Sequence, residues 1–148
     1  VGSSYTCMVA PYMIDSAHPL CGVNGVFNGI FLHGNALGDA MFYGSGAGKL
    51  PTASAVVADV VDMARHQHTN IYIDWKPEKL TLVSYDDSVN RFFVRTDSPK
   101  EEVEKIFGNV SYVENVVDGE YGFTTEAMAE KDFAAKADKI NVINRIRL

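Results

Sequence analysis

The chain has 148 residues, 47% of them hydrophobic, and a formal net charge of -6. That apolar share can fill a core in one domain or two small ones. The acidic balance argues against a nucleic-acid partner, which needs a clustered basic surface. No apolar run approaches the roughly 20 residues that cross a bilayer, and no basic start leads into an apolar core, so no membrane partner and no secretory signal are expected. The expected location is the cytoplasm.

Val1, Gly2, Ser3 and Ser4 open the chain with no initiator methionine and no capped element, as expected of a piece of a longer protein. Cys7 and Cys21 form no Cys-x-x-Cys pair, and buried, reduced thiols are expected. Residues 5–10 read as a strand stopped by Pro11, and residues 24–32 as a second strand, apolar on both faces. His33-Gly34-Asn35 turns the chain, and residues 36–43 return as a third strand. A loop with Gly44, Gly46 and Gly48 then leads to a helix over 51–66, opened by Pro51 at its first position. The amides of Thr52, Ala53 and Ser54 are expected to point, unpaired, towards that loop, as a helix start that holds an anion or a carbonyl oxygen would require. The helix is amphipathic: Thr52, Asp59, Asp62 and His66 form one stripe, and Ala53, Val56, Val57, Val60, Val61 and Ala64 fill the opposite face.

Composition changes near residue 67. Up to His66 the only charged residues are Lys49, Arg65, Asp15, Asp39, Asp59 and Asp62, and nine of the twelve glycines fall there. Eleven basic and fifteen acidic residues follow in a similar length. A segment so poor in charge is expected to be covered on several sides, by more of its own chain or by a second subunit. Residues 67–90 read as a connector holding Pro77 and a short strand at 80–83.

The last part alternates cleanly. Residues 91–96 form a strand with Phe92 and Val94 on one face. Ser98-Pro99-Lys100-Glu101 reads as a capping-box start to a helix carrying Val103, Ile106 and Phe107, which Gly108 terminates. Residues 110–117 and 120–124 form a hairpin about Asp118-Gly119. Thr125 caps a second helix carrying Ala129, Phe133 and Ala137, and residues 140–148 form a last strand. The order strand, helix, strand, strand, helix, strand is that of a split βαβ sandwich. The fold class read from the sequence is therefore α+β: a partial mixed sheet with one helix, followed by a ferredoxin-like βαββαβ unit.

The glycine loop fits neither phosphate fingerprint. Leu50 follows Lys49 where a P-loop needs Ser or Thr, and Gly44-x-Gly46-x-Gly48 lacks the spacing of a dinucleotide loop. By residue types alone it is either a ligand cradle or a tight structural turn. His66 and His68 sit at a helix end, where their spacing diverges, and no metal site is expected. His18, on a loop in a nearly uncharged half, is either a proton carrier or a hydrogen-bonded structural histidine. No carboxylate pair, Ser/His/Asp set or nucleophilic cysteine can be assembled, so as a complete enzyme the chain lacks parts.

A longer pattern runs through the first half: His18-Pro19-Leu20, Val23-Asn24-Gly25-Val26-Phe27-Asn28, Phe42-Tyr43-Gly44-Ser45-Gly46-Ala47-Gly48, then Pro51-Thr52-Ala53-Ser54-Ala55-Val56-Val57 with Asp59 following. Over residues 5–65 this resembles the end of the catalytic domain of homoserine dehydrogenase, and the βαββαβ unit resembles the ACT domain that many bacterial members carry. The resemblance implies domains at 1–68 and 90–148 joined by a linker at 69–89. It implies interconversion of L-homoserine and L-aspartate 4-semialdehyde with NADP or NAD, in threonine, isoleucine and methionine biosynthesis. The Rossmann domain, the catalytic lysines, the substrate carboxylates and a monovalent-cation site of that family would lie upstream. Gly46, Ala47 and Gly48 match the family loop near the nicotinamide end of the cofactor. His18 matches a histidine at the edge of the active site, and the charge-poor strands match the sheet of a homodimer. Asp97 and Ser98 would stand at the effector loop, with threonine the implied effector. Lys100, however, follows Pro99 where effector-sensing members have glycine. The alternative is a free-standing ACT-type module that binds an amino acid or dimerises.

Overall fold

A computed structural model of the chain describes residues 4–70, 72–75 and 77–148. Val1, Gly2, Ser3 and two positions of the connector, Ile71 and Lys76, lie outside the described residues. The chain divides into two compact units. A middle unit runs Ile14–Pro77, and a split unit joins Val1–Met13 to Glu78–Leu148.

The split unit begins with β1 (Ser4–Tyr5), two residues long where the sequence reads a strand to Ala10. Its partner is a distant segment, and the ladder ends where that segment does. The chain then enters the middle unit. There β2 (Phe27–Gly34) and β3 (Gly38–Ser45) form an antiparallel hairpin in the register Phe27 to Ser45 through Gly34 to Gly38. Both strands start later than the sequence reading has them. Gly25 takes φ +66° in a turn closed by the Phe27 amide on the Asn24 carbonyl, so pairing cannot begin before Phe27. Helix α1 (Lys49–Arg65) follows. It starts two residues before Pro51, because Gly48 at the N-cap holds φ +126°, a conformation open to glycine and hardly to any other residue. Proline is tolerated at the third position, since the first amides of a helix have no intrahelical partner.

The chain returns to the split unit through β4 (Thr81–Leu82), which lies parallel to β1. A 3-10 turn at Tyr85–Asp87, capped by the Ser84 hydroxyl, leads to β5 (Val89–Asn90). Then come β6 (Phe92–Thr96), α2 (Lys100–Phe107), β7 (Val110–Val117), β8 (Glu120–Thr125), β9 (Met128–Ala129), α3 (Glu130–Ala137) and β10 (Val142–Arg147). The larger sheet is four-stranded and antiparallel in the order β10-β6-β8-β7, and β5 pairs with β9 beside it.

Strand alternation builds the core. Phe92, Val94 and Thr96 face inward with no exposure, while Phe93 and Arg95 between them stay half-buried on the other face. Val103 and Phe107, four apart on α2, come down on that inner face with Phe123 of β8 and Phe133 of α3. Phe92 and Phe133 stack with centroids 3.9 Å apart, and Phe107 meets Phe123 edge-on at 5.3 Å.

Both expected caps belong elsewhere. Pro99 occupies the N-cap of α2, and the Ser98 hydroxyl instead accepts from the Asn141 amide at 2.9 Å. Ala129 occupies the N-cap of α3, and the Thr125 hydroxyl accepts from the Phe92 amide at 3.1 Å. In both cases a distant backbone amide takes the hydroxyl, buried at Phe92 and part-buried at Asn141, and satisfying it outweighs capping a helix end that water can reach. Gly108 does end α2, at φ +79°. The cysteines are free, as reduced thiols would be, but exposed rather than buried, because each lies in a stretch without a buried residue.

Candidate functional site

The glycine loop joins β3 to α1. An added Cβ at Gly46 would run into the Asn28 side-chain amide, whereas at Gly44 it would meet open space. Gly48 is therefore required by its positive φ, whereas at Gly46 a Cβ would have to push the end of the Asn28 side chain aside. The helix start differs from the sequence expectation. The Thr52 amide donates to the Gly48 carbonyl at 3.1 Å, so the intrahelical ladder already begins there. The unpaired donors move back to the first turn, at Gly48, Lys49 and Leu50. This shifts the cradle by one turn and places it on the loop, where Ala47 is exposed.

His18 caps a 3-10 turn at Pro19–Gly22. Its Nδ1 accepts from the Leu20 amide at 3.2 Å, and its ring lies 4.9 Å from Phe31. An accepting Nδ1 puts the proton of the neutral ring on Nε2, leaving that atom as the one able to donate. Asp15 shapes the turn by accepting from the Ala17 amide at 2.7 Å and, through its carbonyl, from the His18 amide at 2.9 Å.

The hairpin separates these two features. Asn28, which touches Gly46, and Phe31, which touches His18, are three apart on β2, and side chains alternate faces along a strand. Leu20 and Val23 press on Gly29, on the Phe31 face. The contacts to the glycine loop and to His18 thus leave from opposite faces of the hairpin.

The Asp97-Ser98 loop lies in the split unit and is held from within. Asp97 Oδ1 accepts from Asn141 Nδ2 at 2.9 Å, the Thr96 hydroxyl donates to the Asn141 carbonyl at 2.7 Å, and the Tyr121 hydroxyl donates to the Ser98 carbonyl at 2.7 Å. Lys100 Nζ sits over the rings of Tyr112 and Tyr121, at 4.8 and 5.5 Å. Burial pushes the Tyr112 phenol up to about 12, helped by its hydrogen bond to Glu104. Asn141 is the residue that sequence reasoning missed: between a helix end and a strand it carries no motif.

The apolar face of α1 is open. Val56, Val57 and Val60 are 58–59% exposed and Phe42 of β3 is 64% exposed, and no described residue of the middle unit is buried. Among the described residues no three of His, Cys, Asp and Glu gather as a metal site, and no helix is long and apolar enough to cross a membrane.

Comparison with known proteins points to one family. The homoserine dehydrogenase family model matches residues 1–61. The homoserine dehydrogenase of Lactococcus lactis is 33% identical over 102 residues, 67% of this chain and 24% of the relative. That of Synechocystis is 56% identical over 55 residues, 37% of this chain and 13% of the relative. Among solved structures, the homoserine dehydrogenase of Thiobacillus denitrificans superposes with a TM-score of 0.76 at 26% identity, covering 100% of this chain and 40% of its own. The Staphylococcus aureus enzyme gives 0.62 at 25% identity, over 90% of this chain and 35% of its own. The class these matches define is oxidoreductase. Within it, the chain belongs to the homoserine dehydrogenase family, and it spans about a quarter of the length of the L. lactis relative (24%).

Proposed function

We propose that this chain supplies the dimerisation sheet and one wall of the cofactor pocket of an NAD(P)-dependent homoserine dehydrogenase, which interconverts L-homoserine and L-aspartate 4-semialdehyde. The observation that carries the reading is the family match over residues 1–61, the stretch holding His18, the hairpin and the glycine loop. A nicotinamide cofactor, when bound, would take or give the hydride. What these residues do is narrower. Gly46, Ala47 and Gly48 would let the ligand approach bare backbone, and the unpaired donors at Gly48, Lys49 and Leu50 would face its polar atoms. The loop fits that role because it is exposed and no side chain larger than methyl stands between Gly46 and Gly48. His18 Nε2 would be a proton donor at the edge of the site, provided the rest of the enzyme brings substrate to its face of the hairpin.

The open apolar faces of α1 and the hairpin support a homodimer through the charge-poor half, since water is a poor neighbour for so many exposed valines. The order of strands and helices from Phe92 to Arg147 supports an ACT-type regulatory unit. Threonine at Asp97 and Ser98 would have to displace the bonds from Asn141. The rest of this reading is cytoplasmic and serves threonine, methionine and isoleucine synthesis.

Grafting residues 5–65 into the L. lactis enzyme in place of the matching segment tests the assignment. Activity kept within about tenfold supports it, and loss of activity in a folded graft overturns it. By itself the 148-residue chain should not oxidise homoserine.

A further inference from the structure

Residues 7–11 of the split unit run beside the edge strand β10. They are anchored where Tyr12 bridges Arg147 in parallel and the Met13 amide donates to the Arg147 carbonyl at 2.7 Å. A cleft of about 430 Å3 opens there, lined by Cys7, Met8, Pro11, Tyr85, Arg145 and Arg147 among others. The two arginines stand opposite Val94 and Phe92 in the register, so both project on the helix-covered face of the sheet.

Their partners differ. Arg147 is neutralised by Glu130, which is 4% exposed and takes both its Nε and its Nη2, the latter at 2.9 Å. Arg145 has no carboxylate partner among the described residues, in a chain with 19 acids and 13 bases. Its guanidinium lies over the Phe133 ring, 5.0 Å from the centroid, a contact that leaves its N–H donors available, and the residue is exposed. The amides of Met8, Val9 and Ala10 and the Tyr85 hydroxyl make no hydrogen bond among the described residues. Among the described residues Arg145 thus borders the cleft without a carboxylate partner, beside neutral donors.

We propose that this cleft binds a small monocarboxylate with a short aliphatic tail. One guanidinium balances one negative charge, and its parallel N–H groups match two carboxylate oxygens. A phosphate dianion would leave a charge unpaired. Met8, positioned by the Tyr12 hydroxyl on its sulfur at 3.8 Å, and Pro11 form an apolar wall for the tail. The site is independent of the homoserine dehydrogenase reading, and it is separate from the Asp97-Ser98 loop.

Titrating the isotope-labelled 148-residue chain with propionate, and separately with inorganic phosphate at equal ionic strength, tests it by NMR. Saturable shifts should appear at Met8, Val9, Ala10, Tyr85 and the Arg145 side chain, with phosphate the weaker ligand. Arg145→Gln should weaken propionate binding at least about tenfold and Arg145→Lys less, because lysine keeps the charge and loses the fork. Unchanged signals from Phe92 and Phe123 would show that the variants fold. The proposal is overturned by any of these results: no saturable shift in the folded wild type, shifts that persist in Arg145→Gln, shifts centred on Asp97 and Ser98, or phosphate binding as tightly as propionate.

Discussion

The two units have similar hydrophobic content and opposite uses for it. In the split unit six apolar residues are buried at 5% exposure or less, and four phenylalanines among them pack ring on ring. In the middle unit a seventeen-residue helix and two eight-residue strands form with no buried residue among those described. Local signals suffice to make a hairpin and a helix. They do not suffice to hide them, because one helix and two strands have too few faces to enclose each other. The split unit buries a core of its own, and the middle unit leaves its apolar side chains open among the described residues.

The largest test of that contrast is a pair of truncations. Phe133→Ala should cost about 3–5 kcal/mol in urea unfolding followed at the split unit, because it leaves a cavity under Phe92. Phe42→Ala should change the stability of the isolated chain by no more than about 0.5 kcal/mol. If the two costs were alike, the middle unit would hold a core of its own. Next comes the Glu130–Arg147 pair, which also receives the Asn90 amide at 3.0 Å. Glu130→Ala should cost about 3 kcal/mol by leaving Arg147 desolvated and unpaired, and Arg147→Met in the same chain should recover part of it. A double-mutant cycle by chemical denaturation measures this.

Within the middle unit the effects are smaller and purely backbone. Gly48→Ala should destabilise the start of α1 by about 1–3 kcal/mol, read from amide hydrogen exchange of its first turns, because alanine is strained at φ +126°. Gly44→Ala, facing open space, should change exchange by less than about 0.5 kcal/mol. Smallest at neutral pH is the Tyr112 effect. Its folded-state pKa lies above that of the unfolded chain, so the folded form keeps its proton longer. Stability should therefore be fully present below about pH 10 and fall between about pH 10 and 12. Tyr112→Phe should flatten that decline in pH-dependent unfolding, and an unchanged slope would assign it to another group.

The elements of the split unit were legible in order because each carries its own period. Phe92 and Val94 alternate, Val103 and Phe107 repeat at helical spacing, and Asp118-Gly119 supplies the turn, with Gly119 at φ +80°. The caps were not legible. Ser98 and Thr125 look like helix starters, yet each serves a distant backbone amide that no local pattern announces. In the candidate site the residues were visible and their arrangement was not. Gly46 and Gly48 stand out as glycines in a loop, but crowding by Asn28 and a φ of +126° exist only once the hairpin has closed. That His18 and the loop take opposite faces follows from strand register, which the turn at Gly25 reset.

The sequence by itself determined the order of the main elements, which family the first half resembles, and that this half is poor in charge, because periodicity, turn chemistry and composition are local properties. The tertiary structure alone decided which polar groups are spoken for. Asn141 occupies Asp97 and Ser98, Glu130 occupies Arg147, and Arg145 has no carboxylate partner among the described residues. Partners seventeen residues apart (Glu130 and Arg147) or more than forty (Asn141 with Asp97 and Ser98) are chosen by the packing of strands, and nothing along the chain records that choice.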